Sequence, residues 1–217
     1  MEESATEDLR ARFDLPVVLK ALGPVNGPLG EAVTTLKAWR KSGAHRRDLD
    51  KDGTDDDDAA VTLMDAWWPK LARAIFAPSL GTKVTDQLHA FLPYDLELDP
   101  GDAPSAPSFE KGWYGFVSKD LRDLFTPKRV KGRWSRVYCG NGSKARCRAA
   151  LRQSLTEALT VTKKDLYGRG DCAEDAQSAC FDRNRSTVAS AVSLPPFPFQ
   201  NRPTFQQTVE LTQKLPR

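Results

Sequence analysis

Four cysteines constrain this chain more than any other feature. Cys139 and Cys147 have seven residues between them, and so do Cys172 and Cys180. A gap of that size closes a small loop without strain. Glycine and polar residues surround both pairs, and neither pair is a C-x-x-C unit, the closer spacing that a zinc site needs. The pattern favours two local disulfides over free thiols or a metal site. Four cysteines permit three connectivities, and Cys139–Cys147 with Cys172–Cys180 is the simplest. Stable disulfides imply an oxidising compartment. The opening residues MEESATEDLRARF carry neither a basic stretch nor an apolar core, so they are no signal peptide. An exported chain without an export signal implies that the signal lies on a part preceding Met1.

The 217 residues are enough to bury a real core. No apolar run reaches the roughly 18 residues of a membrane span. Lys and Arg total 32 against 29 Asp and Glu, a net charge of +3. That near-balance argues against a dedicated nucleic-acid binder. The basic stretch Lys128, Arg129, Lys131, Arg133 and Arg136 interleaves with Trp134 and Tyr138, as a single-strand surface can, but it reads better as a solvated face or a contact to an acidic segment.

Periodicity gives a mainly α chain. Ser4 and Glu7 match a capping box, with Leu9, Phe13 and Val17 on one face and Pro16 kinking or ending the helix. Pro28 suits the first position of a second helix, with Leu29, Val33, Leu36 and Trp39 inward. Val61, Met64, Trp68, Leu71 and Ile75 mark a third, which Pro69 should bend or split. Their Met–Trp stripe reads as core. The acidic, Pro-rich residues Tyr94 to Pro107, Asp95 and Glu97 among them, read as a solvated loop. Ser108 opens a fourth helix, with Trp113, Val117, Leu121 and Leu124 inward. Short strand-like pieces lie around Trp134 to Tyr138. Ser143 caps a fifth helix carrying Cys147, Leu151, Leu155 and Ala158. Thr204 and Gln207 match a last capping box. The fold class is α+β, mainly α, with long irregular loops and a few short strands. No internal boundary divides residues 1–217, and the long loops fit a chain that wraps another part of a larger protein.

One motif could hold an ion. In Asp48-Leu-Asp50-Lys-Asp52-Gly53-Thr54, carboxylates alternate before a glycine, as in the first half of an EF-hand loop. Asp48, Asp50, Asp52, the Thr54 carbonyl and Asp56 are the candidate ligands for Ca2+. The second half departs from the pattern, because Ala59 stands where a bidentate Glu is expected. The competing reading, a solvated acidic turn at a helix N-terminus, is the stronger one. No cofactor is required. His45 and His89 are far apart and outside any nucleophile motif, and G-x-S-x-G, the P-loop, G-x-G-x-x-G and H-E-x-x-H are all missing. No catalytic residue is assigned.

Three segments together carry a resemblance. LKAWRKSGAHRRDLDKDGTDDDDAAVTLMDAWWPKL resembles a stretch of the β-subunit of penicillin acylases of the actinobacterial type. VYCGNGSKARCRAALRQSL and FPFQNRPTFQQTVEL resemble the segments that close that subunit. Their order and spacing agree along nearly the whole chain, and DAWWP and QNRPTFQQ are the most specific words. The resemblance implies an N-terminal nucleophile hydrolase with an αββα fold, made as an exported precursor and cut into two subunits. It implies amide hydrolysis through an acyl-enzyme on the serine that begins the β-subunit, with an asparagine in the oxyanion hole. Ser4 does not match the surroundings of that serine. The expected role is therefore scaffold, with the α-subunit and the start of the β-subunit as partners, and no nucleic acid or membrane. An extracellular or cell-envelope location is expected for the intact protein. The alternative is a non-enzymatic exported module stapled by disulfides. Without its partners, the chain should leave Trp67, Trp113 and Phe205 exposed.

Overall fold

The computed structural model describes residues 6–91, 113–126, 136–182, 187–188 and 192–193, with side chains for all of these except 89–91, 113–114 and the last four. The reading of Ser4, the loop 94–107, Ser108, Lys128 to Trp134 and the Thr204 cap lies outside them. So do the side chains of His89, Trp113 and Phe205.

A π-helical turn, Arg10–Asp14, runs directly into α1, Leu15–Leu22. Pro16 neither ends nor breaks this helix; it occupies the first turn of α1, where a missing N–H costs least. The wide turn also shifts the inward face. Ala11, Leu15, Val18 and Leu22 are buried, whereas Phe13 is 52% exposed. The expected Leu9–Phe13–Val17 stripe is out of phase because a 3.6-residue period does not hold across a π turn.

α2, Gly27–Lys41, has Pro28 in its first turn and buries Ala32, Leu36 and Trp39. The Trp39 indole N–H donates to the His45 carbonyl at 2.9 Å, which fixes the exit of the helix. α3, Asp58–Leu80, is the centre of the fold and runs unbroken through Pro69 and Pro78. Pro69 removes one helical hydrogen bond, but Trp67, Trp68, Leu71 and Ala72 around it are all buried. Packing on both faces holds the helix together where propensity alone would split it. Trp67 is fully buried, and its indole N–H donates to Ser154 Oγ at 3.0 Å. The expected exposure of Trp67 is therefore overturned: its partner lies within this chain.

α4, Thr82–Phe91, follows after Gly81. α5, Trp113–Phe125, buries Val117, Leu121 and Leu124 as its spacing predicts. α6, Lys144–Ala158, starts at Ser143, whose hydroxyl accepts the Arg146 N–H, and buries Cys147, Leu151, Leu155 and Ala158. Helices α1, α2, α3, α5 and α6 share one apolar core. Two short helices, α7 (Lys163–Tyr167) and α8 (Ser178–Phe181), pack beside it. Thr187–Val188 pairs antiparallel with Val192–Ser193, while Arg136–Tyr138 has no regular structure. The described part is thus mainly helical. No described helix is long and apolar enough to cross a membrane.

Candidate functional site: a buried carboxylate–guanidinium cluster

Five charged side chains from four separate stretches meet beneath the surface. Asp8 and Arg10 belong to the N-terminal segment, Arg46 to the loop after α2, Asp65 to α3, and Asp182 to the residue after α8. The Arg46 guanidinium forks onto Asp65, with Nη1 2.9 Å from Oδ1 and Nη2 2.7 Å from Oδ2. Arg10 Nη2 donates to the same carboxylate at 2.8 Å. Arg46 Nε donates to Asp182 Oδ2 at 2.7 Å, and Nη1 reaches Asp8 Oδ2 at 3.3 Å. The Tyr167 hydroxyl donates to Asp65 Oδ2 at 2.7 Å. No side chain among the five charged groups is more than 10% exposed.

Burial acts against every charge here, and the pairing decides the result. Burial would raise the Asp65 carboxyl, but Arg46 and Arg10 hold it well below the usual carboxylate range. Asp8 is lowered the same way, with Arg10 and Arg46 outweighing desolvation. Desolvation works to neutralise both arginines, yet their carboxylates keep them firmly charged. Burial, with Asp65 beside it, holds the Tyr167 phenol protonated, so it serves Asp65 as a donor. Asp182 goes the other way. Burial pushes it up to about 7 despite Arg46, with Asp55 and Asp65 adding to the rise. Among the described residues, three carboxylates share two guanidiniums here. Asp182 receives the Arg46 Nε–H, and burial makes it the member of the cluster that takes a proton most readily.

The rest of the second disulfide region is tied to the same place. Cys172 and Cys180 are bonded, with Cα atoms 6.0 Å apart. Ser178, inside that loop, donates to buried Asp55 at 2.6 Å. Lys163 of α7 pairs with Asp58 at the start of α3 at 2.7 Å. Cys139 and Cys147 are also bonded, with Cα atoms 5.0 Å apart. In that loop Gly140 has φ +57°, and a Cβ there would lie 2.4 Å from the Cys147 backbone nitrogen. Asp120 of α5 accepts the N–H groups of Tyr138 and Cys139 at 2.6 and 2.9 Å, anchoring the loop to that helix. Of the basic stretch, Arg136 lies over the Tyr138 ring, 5.2 Å from its centroid.

The acidic loop is partly assembled. Carboxylate oxygens of Asp48, Asp50 and Asp56 lie within 4.8 Å of one another; Asp52 is not in that group. Asp48 accepts the N–H groups of Asp52 at 3.1 Å and Gly53 at 2.8 Å. Asp52 is turned to the Thr54 N–H at 2.8 Å, and Asp56 takes the Leu49 N–H at 3.1 Å. Desolvation opposes ionisation of Asp48, but these backbone donors hold its carboxyl below the ordinary value. The carboxylates of Asp48, Asp52 and Asp56 thus shape the turn itself. His45 bonds Thr6 through Nδ1 at 3.0 Å.

The sequence reading missed the cluster. One signal was available: Asp65 is a lone acid inside the apolar run AAVTLMDAWW. A charge on a buried face needs a partner. Its partners, however, lie up to 102 positions away.

Compared with known protein families, residues 3–206 match penicillin amidase. The chain belongs to the penicillin amidase family. No curated protein and no solved structure matches it. The match spans both disulfides, the acidic loop and every member of the cluster, and it carries an amide-hydrolase-like function to the chain.

Proposed function

We propose that this chain is the C-terminal scaffold region of a penicillin amidase β-subunit, within an exported, autocatalytically processed N-terminal nucleophile hydrolase. The intact enzyme would cleave the amide of an acylated amine, such as a β-lactam side chain, through an acyl-enzyme. Its nucleophilic serine would stand at the start of the β-subunit, upstream of the region that this chain resembles. The observation that carries this reading is the family match over residues 3–206, joined to a buried charge cluster whose described groups bond to one another. Guanidiniums cannot serve as bases, and Asp65 is fully engaged by two arginines and a tyrosine. Such a cluster locks chain segments together and does no chemistry on a substrate. Two disulfides suit an oxidising compartment.

The test is hydrolysis of a chromogenic phenylacetyl amide. Purified chain alone should give no turnover. Co-expression with an upstream segment that supplies an α-subunit and a Ser-led β-subunit start should give it. Turnover by the chain alone that disappears in Ser4→Ala would overturn the scaffold reading.

A further inference from the structure

A second buried acid stands apart from the cluster. Asp14 closes the π-helical turn and is fully buried. Its Oδ1 accepts the hydroxyl of Ser118, a residue of α5. Its Oδ2 is buried with no hydrogen-bond partner among the described residues. No described cation forms an ion pair with it. A carboxylate in such a place costs far more than a carboxylic acid. We propose that Asp14 is kept as a neutral acid and that the Asp14–Ser118 pair is a pH-sensitive clasp between the N-terminal segment and α5.

The charges acting on Asp14 come from two elements. Asp8 and Arg10 belong to its own segment, and Arg122 to α5. α2, which also packs on this turn, adds none of these leading charges. Desolvation dominates; Ser118 and the two arginines only partly offset it, and the acid is pushed up to about 7. The folded value is raised, so the contribution to stability is complete below the ordinary carboxylate range. It is lost as pH rises towards 7, and little more is lost above that. α5 and α1 also border a cleft lined by Pro16, Val17, Lys20, Leu121 and Phe125. Ionisation of Asp14 loosens α5 and widens that cleft.

The test is amide hydrogen exchange of α5 in the full chain, corrected for the intrinsic rate. With values of about 7 closed and about 4 open, the opening equilibrium should rise about 80-fold from about pH 5 to about pH 8. Asp14→Asn keeps the shape and an acceptor for Ser118 but cannot ionise, so its opening should lose the Asp14 share of the rise and keep only the slope of Asp120, the other raised acid of α5. The same slope in Asp14→Asn as in the wild type would overturn the proposal. Infrared spectroscopy gives a second check, on the acid itself. The part of the protonated carboxyl band that Asp14→Asn removes should persist above the ordinary range and lose intensity near neutrality, apart from the share of Asp182, and Ser118→Ala should move its midpoint upward. No such band, or one unmoved by Ser118→Ala, would equally overturn it.

Discussion

Arg46 is the residue on which the cluster turns. Its guanidinium touches Asp8, Asp65 and Asp182, which come from three different stretches of chain. Removing a buried cation strands the acids it served, and that costs more than the pair itself is worth. Arg46→Met keeps most of the aliphatic volume and removes the charge. It should lower stability by about 3–5 kcal/mol in urea unfolding. A loss within experimental error would mean that water or another cation reaches these acids, and that the cluster does not hold the segments together. The residue scale is also where the sequence said least. Asp65 looks like any helix acid until Arg46, Arg10 and Tyr167 converge on it. Arg46 and Asp182 are 136 positions apart, and no local pattern links residues at that separation.

At the scale of elements, much more was legible, because the causes are local. Ser143 caps α6, and the stripe of Cys147, Leu151, Leu155 and Ala158 is buried as its spacing predicts. Both cysteine pairs close within their own loops. The two failures have different causes, one in tertiary packing and one in the helix period. Pro69 does not split α3 because tryptophans and leucines bury the helix around it. Phe13 faces out because a π turn shifts the phase of the first helix. The second disulfide has a role at this scale. It restrains the loop that delivers Ser178 to Asp55 and sets Asp182 near Arg46. Closing a loop this short contributes roughly 2.5 kcal/mol through the unfolded chain. The double variant Cys172→Ser, Cys180→Ser should lose about that much, and limited proteolysis should cut first between 170 and 182. Cleavage elsewhere with unchanged stability would show that the cluster holds this loop unaided.

At the scale of the whole molecule, the acids fall into two groups with opposite pH dependence. Asp8 and Asp65 are depressed by the arginines against the effect of burial. Their stabilisation is present above the ordinary carboxylate range and is lost as pH falls towards their folded values. Asp14 and Asp182 are raised to about 7 by burial, and Asp55 and Asp120 are raised as well. For these the sign reverses: stability is full below the ordinary range and declines as pH climbs towards neutrality. The two slopes leave a maximum in mild acid, at about pH 4–5, with a fall on the order of a few kcal/mol by neutral pH. Because Trp39, Trp67 and Trp68 are all buried in the shared core, their fluorescence should report one transition. Urea unfolding followed by that fluorescence across a pH series reads the curve directly. Stability that climbs steadily from mild acid to about pH 8 would show that the raised acids find counter-charges in solution. A maximum in mild acid that shifts upward in Asp182→Asn would tie the decline to the proton shared beside Arg46.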